Sequence, residues 1–255
     1  MSPETHGPEA HGPGDSPGTR RERRERARAA VAPVLVAERL SRVFPTPAGD
    51  VVAVADVSLD LRPGELVALR GPSGSGKTTL LNLLGGLDEP TSGTVRVDGQ
   101  DLADLDESAR LALRRTTLAF VFQAFGLIGD LTARENVEVP LRLRGTPPTE
   151  RDLRVDAVLG AVGLAPHAHQ RPGELSGGQQ QRVGIARAIV AEPRLLLADE
   201  PTGQLDSTTG TEIMELLAEV VHARGLAALV ATHDPLMLER ADRVLRLRDG
   251  RLVDD

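Results

Sequence analysis

Lys77 is the only lysine in the chain; the other 29 basic side chains are arginine. It lies in GPSGSGKTT, residues 71–79, which meets the pattern G-x-x-x-x-G-K-[ST] at Gly71, Gly76, Lys77 and Thr78. The chemistry of such a loop is phosphate binding. Its glycines permit backbone angles and close approaches that a Cβ forbids. Successive backbone N–H groups then point into one concavity. A following helix adds unpaired N–H groups and the positive end of its dipole. Gly71, Pro72, Ser73, Gly74, Ser75, Gly76, Lys77, Thr78 and Thr79 are therefore the expected phosphate cradle. Lys77 enters it between the β- and γ-phosphates, where a compact ammonium fits and a broad guanidinium does not. Thr78 offers a hydroxyl to Mg²⁺.

Phosphate chemistry at such a loop needs a further acid near the metal and a group that orients water. LLLADEP, residues 195–201, is an apolar run ending in two acids. Asp199 is the expected member of the Mg²⁺ shell, and Glu200 is placed to polarise water as general base. ELSGGQQQR, residues 174–182, is a second Gly-Ser turn opening a helix, and so a second anion-seeking helix start. One nucleotide has one γ-phosphate. The simplest geometry that uses both turns is two copies head to tail, each lending its second turn to the other's nucleotide.

These groups must be held by a frame, and the frame reads as α/β. Residues 34–40 form an expected first strand, and DVSLDL (56–61) alternates like a half-buried one. ELVALR (65–70) reads as a buried strand running into the phosphate loop. TTLLNLLGGL (78–87) reads as a helix ending at its glycines. TVRVDGQ (94–100) is a strand with an Asp-Gly turn, and LAFVFQ (118–123) is another strand. The strand pattern then lapses, and residues 124–175 look mostly helical. Apolar strands resume at LLLADE (195–200) and LAALVAT (226–232), and VLRLRDGRLV (244–253) closes as a hairpin. There is no internal repeat.

At this point the chain resembles the ATP-binding subunit of an ABC transporter over about residues 34–253. The motifs stand in series: GPSGSGKT (71–78) as Walker A, Gln123 as the Q-loop, LSGGQ (175–179) as the signature, LLLADE (195–200) as Walker B, GQLD (203–206) as the D-loop, and His233 in ATHD (231–234) as the switch. The resemblance implies a RecA-like P-loop NTPase core, an N-terminal antiparallel β region and a helical insertion at about 124–180, all within a domain spanning 34–255. It implies ATP and Mg²⁺ as ligands, with Gln123 touching the metal and reporting to a membrane subunit. Ser176, Gly177, Gly178 and Gln179 would line the nucleotide of the opposite protomer, with Ser176 and Gly178 on its γ-phosphate. Asp206 would cross the dimer interface, and His233 would bind the γ-phosphate and steady Glu200. Phe44 stands where the family places an aromatic on the adenine; the competing reading of Phe44 is a core residue. Gln204 departs from the small or Asn residue usual in the D-loop.

More locally, LLGGLDEPTSG (83–93), FVFQ (120–123), LTARENVEVPL (131–141) and LADEPTGQLD (197–206) resemble the lipoprotein-release and macrolide-export branch. That branch implies a homodimer on ATP, an integral membrane permease as partner, a place on the cytoplasmic face of the membrane, and mechanical export or extraction. AFGLIGD (124–130) departs from the branch's usual apolar-then-Pro pattern where the partner's coupling helix would dock.

Composition bounds the alternatives. The chain has no cysteine, hence no disulfide, thiolate metal site or thiol nucleophile. Its net charge is −7, and residues 1–33 carry six Arg against five acids, so the rest is acidic and a poor non-specific binder of nucleic acid. Four Phe with no Tyr or Trp leave few platforms for stacking bases. A soluble ABC ATPase acting on DNA or ribosomes stays an alternative, but Lys77 and Leu175 lie only 98 positions apart with no heptads between. A scaffold that only binds ATP is opposed by the presence of Glu200 and His233. No apolar run of about 18 residues would span a membrane. Residues 1–33 read as a disordered Pro/Gly/Arg-rich tail rather than a signal peptide, because two Glu interrupt the basic run and Pro33 splits the apolar one. The HAH at 167–169 reads as a surface loop before the signature rather than as a metal site, and RLALRRTT (110–117) as a solvated helix face.

Overall fold

The computed structural model describes residues 31–253; most of the predicted tail lies outside the described residues. Ten strands and seven α-helices follow in the described residues. Six strands form one sheet in the order β10(Arg251–Val253), β9(Arg243–Arg248), β3(Leu66–Arg70), β8(Ala227–Ala231), β7(Leu195–Asp199), β6(Leu118–Val121). All neighbours in it are parallel except the β9–β10 hairpin. The inner strands LVALR, LLLAD and AALVA are almost continuously apolar, as strands covered on both faces must be.

The period of two in each strand divides the interior into two cores. Leu66, Ala68, Leu196, Ala198, Ala228 and Val230 face one side. They meet helices α3(Ala133–Leu143), α4(Pro148–Ala161), α5(Gly177–Ile189) and α6(Ser207–Arg224) through Val137, Leu141, Leu159, Ile185, Ile213 and Leu217. Val67, Leu69, Leu195, Leu197 and Leu229 face the other side. There they meet α1(Lys77–Leu84) and a four-stranded antiparallel sheet, in the order β2(Val51–Leu61), β1(Leu35–Phe44), β4(Ser92–Val97), β5(Gln100–Asp101).

Two details differ from the sequence reading. The antiparallel region is not wholly N-terminal, since β4 and β5 join it from beyond the phosphate-loop helix. β1 continues past residue 40 to Phe44, and β2 starts at Val51 rather than 56. The alternation that marks a strand lapses there because the β1–β2 register slips between Ala37 and Val43.

Between β6 and β7 the chain leaves the sheet. Thr132 and Glu135 form a capping box that starts α3. One turn later, fully buried Asn136 accepts from Ile128 N–H and donates to the Ile128 and Leu131 carbonyls. That side chain does for residues 128–131 what a turn of secondary structure would otherwise do. On α5, Arg187 donates to the Phe125 and Gly126 carbonyls, at 3.2 and 2.7 Å. Phe125 is left-handed at φ 45°, so the loop after Gln123 carries strain that Arg187 and Asn136 hold in place.

Candidate functional site

Register decides where the chemistry meets. Leu69 of β3 and Asp199 of β7 both pair with Ala231 of β8, so the three strands end level. The chain then emerges on one edge as Arg70–Gly71, Glu200 and Thr232–His233. This is the carboxyl edge of a parallel sheet, where α/β folds bind ligands. Thr232, buried, donates its N–H to the Leu69 carbonyl at 3.0 Å and so hangs His233 beside the phosphate loop.

The loop has the form its sequence asked for. Gly76 caps α1 with φ 101°, and a Cβ on it would overlap the Ala53 carbonyl of β2. Only glycine satisfies both conditions. No side chain caps α1, and its first turn has no acid, so its N–H groups and dipole stay available to an anion. Lys77 curls back over the loop, donating to the Gly71 and Pro72 carbonyls at 2.9 and 3.3 Å. Its Nζ also stands 3.5 Å from Glu200 Oε1. Glu200 Oε2 is 3.1 Å from His233 Nδ1. The Lys77 and Glu200 side chains are only 11 % and 18 % exposed, whereas His233 is 83 % exposed. Solvent therefore screens the lysine–glutamate pair weakly, while the imidazole faces water.

Thr78 Oγ1 donates to Asp199 Oδ2 at 2.7 Å. The other oxygen, Asp199 Oδ1, is buried and has no hydrogen-bond partner. A hydroxyl beside a carboxylate with an unsatisfied oxygen is a hard donor set that suits Mg²⁺.

Glu200 itself is left-handed, φ 43°. Such a backbone costs about 1–3 kcal/mol in a residue with a side chain. It is held on both sides: its N–H donates to the Ala231 carbonyl, and its carbonyl accepts from Gly203 N–H, each at 2.9 Å. The bend turns the carboxylate off the line of β7 and toward Lys77 and His233. Nothing in the sequence signals that strain.

The other expected residues lie elsewhere. The Gln123 side chain packs against Gly203, just beyond Glu200. Ser176 caps α5 in a capping box with Gln179. Gly177 packs on Leu205, and a Cβ on Gly178 would overlap Thr209 Cγ2, so the signature turn lies on the start of α6. Asp206 caps that helix, accepting from Thr208 and Thr209 N–H at 3.1 Å. The Thr209 N–H, chiefly, holds the Asp206 carboxyl below its ordinary range. Phe44 ends β1 opposite Val51, with the Arg42 guanidinium 4.5 Å above its ring and Arg42 doubly bonded to Asp88. Sequence reasoning did not single out Arg42, Arg187 or Thr209. Each also has a partner tens of residues away: Asp88 for Arg42, Phe125 for Arg187 and Gly178 for Thr209.

A cradle at the end of β3, an acid pair at the end of β7 and a histidine after β8 define a P-loop nucleotide-binding fold. The family model described as ABC transporter matches residues 54–203, and the chain belongs to that family. It is 46 % identical over 222 residues to the lipoprotein-releasing system ATP-binding protein LolD of Chromohalobacter salexigens, covering 87 % of this chain and 94 % of that protein. It is 48 % identical over 223 residues to the macrolide export ATP-binding/permease protein MacB of Bradyrhizobium diazoefficiens. That match covers 88 % of this chain but 34 % of the relative, so the chain spans about a third of the macrolide-export protein. Among solved structures it superposes on the dimeric bacterial ABC transporter cassette MJ0796 with a TM-score of 0.80 at 40 % identity, over 86 % of this chain and 97 % of that one. A second structure of that cassette, a dimeric post-hydrolysis state bound to ADP and Pi, gives a TM-score of 0.79.

Proposed function

We propose that this chain is the ATP-binding and ATP-hydrolysing subunit of an ABC transporter of the lipoprotein-release or macrolide-export type. Residues 34–255 act as one nucleotide-binding domain with its helical insertion at about 124–180. The observation that carries this reading is the row Lys77–Glu200–His233, with Thr78 on Asp199 beside it.

In this reading the loop from Gly71 to Thr79 binds the phosphates of ATP, and Phe44 stacks on the base with the face that Arg42 leaves. Thr78 and Asp199, with Gln123, would hold Mg²⁺, which supplies positive charge to the β- and γ-phosphate oxygens when bound. Lys77 binds the same oxygens from the loop side. Glu200, released from Lys77, takes a proton from water, and His233 holds Glu200 and the γ-phosphate in place. Two copies close head to tail, so that Ser176, Gly177, Gly178 and Gln179 of each reach the other's nucleotide and Asp206 lies between them. The dimeric state of the similar cassette supports this arrangement. Closure works on a separate integral permease, with the chain peripheral on the cytoplasmic face. No helix among the described residues is long and apolar enough to cross a membrane.

Action on nucleic acid lacks support, because α3 and α4 span only 11 and 14 residues and form no coiled coil between the loop and the signature. The deciding experiment is purification from crosslinked membranes, with identification of the co-purifying integral protein and assay of phosphate release. An active ATPase that brings down a permease supports the whole reading. An active ATPase recovered with ribosomes or DNA overturns the transport part, and inactivity with Mg²⁺ and ATP overturns the catalytic part.

A further inference from the structure

His167 lies at the end of a 3-10 turn, Ala165–His167, ahead of the signature. Its Nδ1 is 2.8 Å from Gln170 Oε1 and its Nε2 is 3.2 Å from Gln179 Nε2. The Gln170 oxygen can only accept, so Nδ1 carries the hydrogen. Nε2 of the neutral ring then accepts from the Gln179 amide. That leaves the Gln179 oxygen facing Ser176, whose N–H it accepts at 2.9 Å. Ser176 Oγ in turn accepts from Gln179 N–H at 3.3 Å. Ser176 is exposed, and with its oxygen accepting from within, its hydroxyl keeps a hydrogen to donate to an anion outside. Every polar atom of the Gln179 side chain is thus used, and the ring of His167 stops it from swinging onto that anion.

We propose that His167 is a positioning residue for the signature turn, acting through Gln179 to set Ser176. This deepens the proposed function and rests on its claim that the turn meets the nucleotide of a second copy. The loss of one neutral hydrogen bond weakens an equilibrium by about 3-fold, a value in the lower half of its range. A symmetric dimer uses the turn twice, so the dimer constant should fall by about 10-fold.

The test is ATP-driven dimerisation in a Glu200→Gln parent, read by sedimentation velocity with Mg²⁺ and ATP. His167→Ala should dimerise about 10-fold more weakly. ATP binding to the monomer should be unchanged, because His167 is not part of the phosphate cradle. His167→Gln, whose amide oxygen can accept from Gln179, should recover most of the loss. In a Gln179→Ala background, His167→Ala should add nothing, since its route is gone. His167→Phe, which keeps the ring volume without the acceptor, replaces the alanine variant if that unfolds. Undiminished dimerisation of His167→Ala, equal weakness of His167→Gln, or full additivity with Gln179→Ala each overturns the proposal. A Glu200→Gln parent that stays monomeric overturns the head-to-tail reading itself, and this proposal with it.

Discussion

Lys77 and Glu200, 123 positions apart in the chain, form an ion pair of 3.5 Å at the carboxyl edge of the parallel sheet. The two charges, to which the proposed function gives phosphate binding and proton removal from water, neutralise each other. In that reading a triphosphate entering the loop would give Lys77 a stronger partner and repel Glu200 toward water and His233, so that binding and arming of the base would be one electrostatic event.

Glu200→Gln keeps the shape of the site and removes both the base and the charge that competes for Lys77. ATP should bind at least as tightly as to the parent, while phosphate release slows by about 10²–10⁴-fold. Nucleotide binding and single-turnover hydrolysis measured together check this; full activity in the variant would refute the base assignment.

Lys77→Ala should weaken ATP binding by about 10–100-fold, the loss of charge-assisted hydrogen bonds. Lys77→Arg should fail to restore it, although charge is kept, because a broad planar guanidinium does not replace the compact ammonium that donates to the Gly71 and Pro72 carbonyls. Equilibrium dialysis distinguishes a charge requirement from a size requirement.

Gly178→Ala drives a methyl group into Thr209 Cγ2. The expected cost is about 1–3 kcal/mol, read as a lower melting temperature. Thr209→Ser removes the clashing methyl and keeps the hydroxyl, so the double variant should recover most of the loss. Additive losses would show that the contact is not the cause.

Asp206 has a folded-state carboxyl pKa below its unfolded value of 3.8. The stability from this cap is therefore present above the unfolded pKa and lost as pH falls through the lower folded value. The melting-temperature gap between the parent and Asp206→Ala should narrow in acid. Asp206→Asn, a good cap that does not titrate, should not share that pH dependence. A gap that stays constant into acid would place the effect outside the carboxylate.

Much of this site was legible from residues 71–79 and 195–201, because a phosphate loop and a strand ending in acids are built from neighbours in the chain. The strands were legible for the same reason: LVALR, LLLAD and AALVA are apolar enough to announce burial on both faces. Less was legible where partners are distant. The HAH segment read as a surface loop, yet both ring nitrogens of His167 are engaged by Gln170 and Gln179. Phe44 could be an adenine platform or a core residue by sequence; Arg42 shares its strand face two residues before, but the Asp88 that holds Arg42 lies 46 positions on.

By itself, then, the sequence determined the order of elements, the place of the glycine turns and the chemical types at each strand end. Those follow from backbone sterics and apolar periodicity, which act over a few residues. Only the tertiary structure decided that Thr78 meets Asp199 across 121 positions, that Glu200 bends left-handed to reach Lys77 and His233, and that Thr209 leaves room for glycine alone at residue 178. Each depends on parallel-strand register or helix packing, and those are set by burying both faces of the sheet at once.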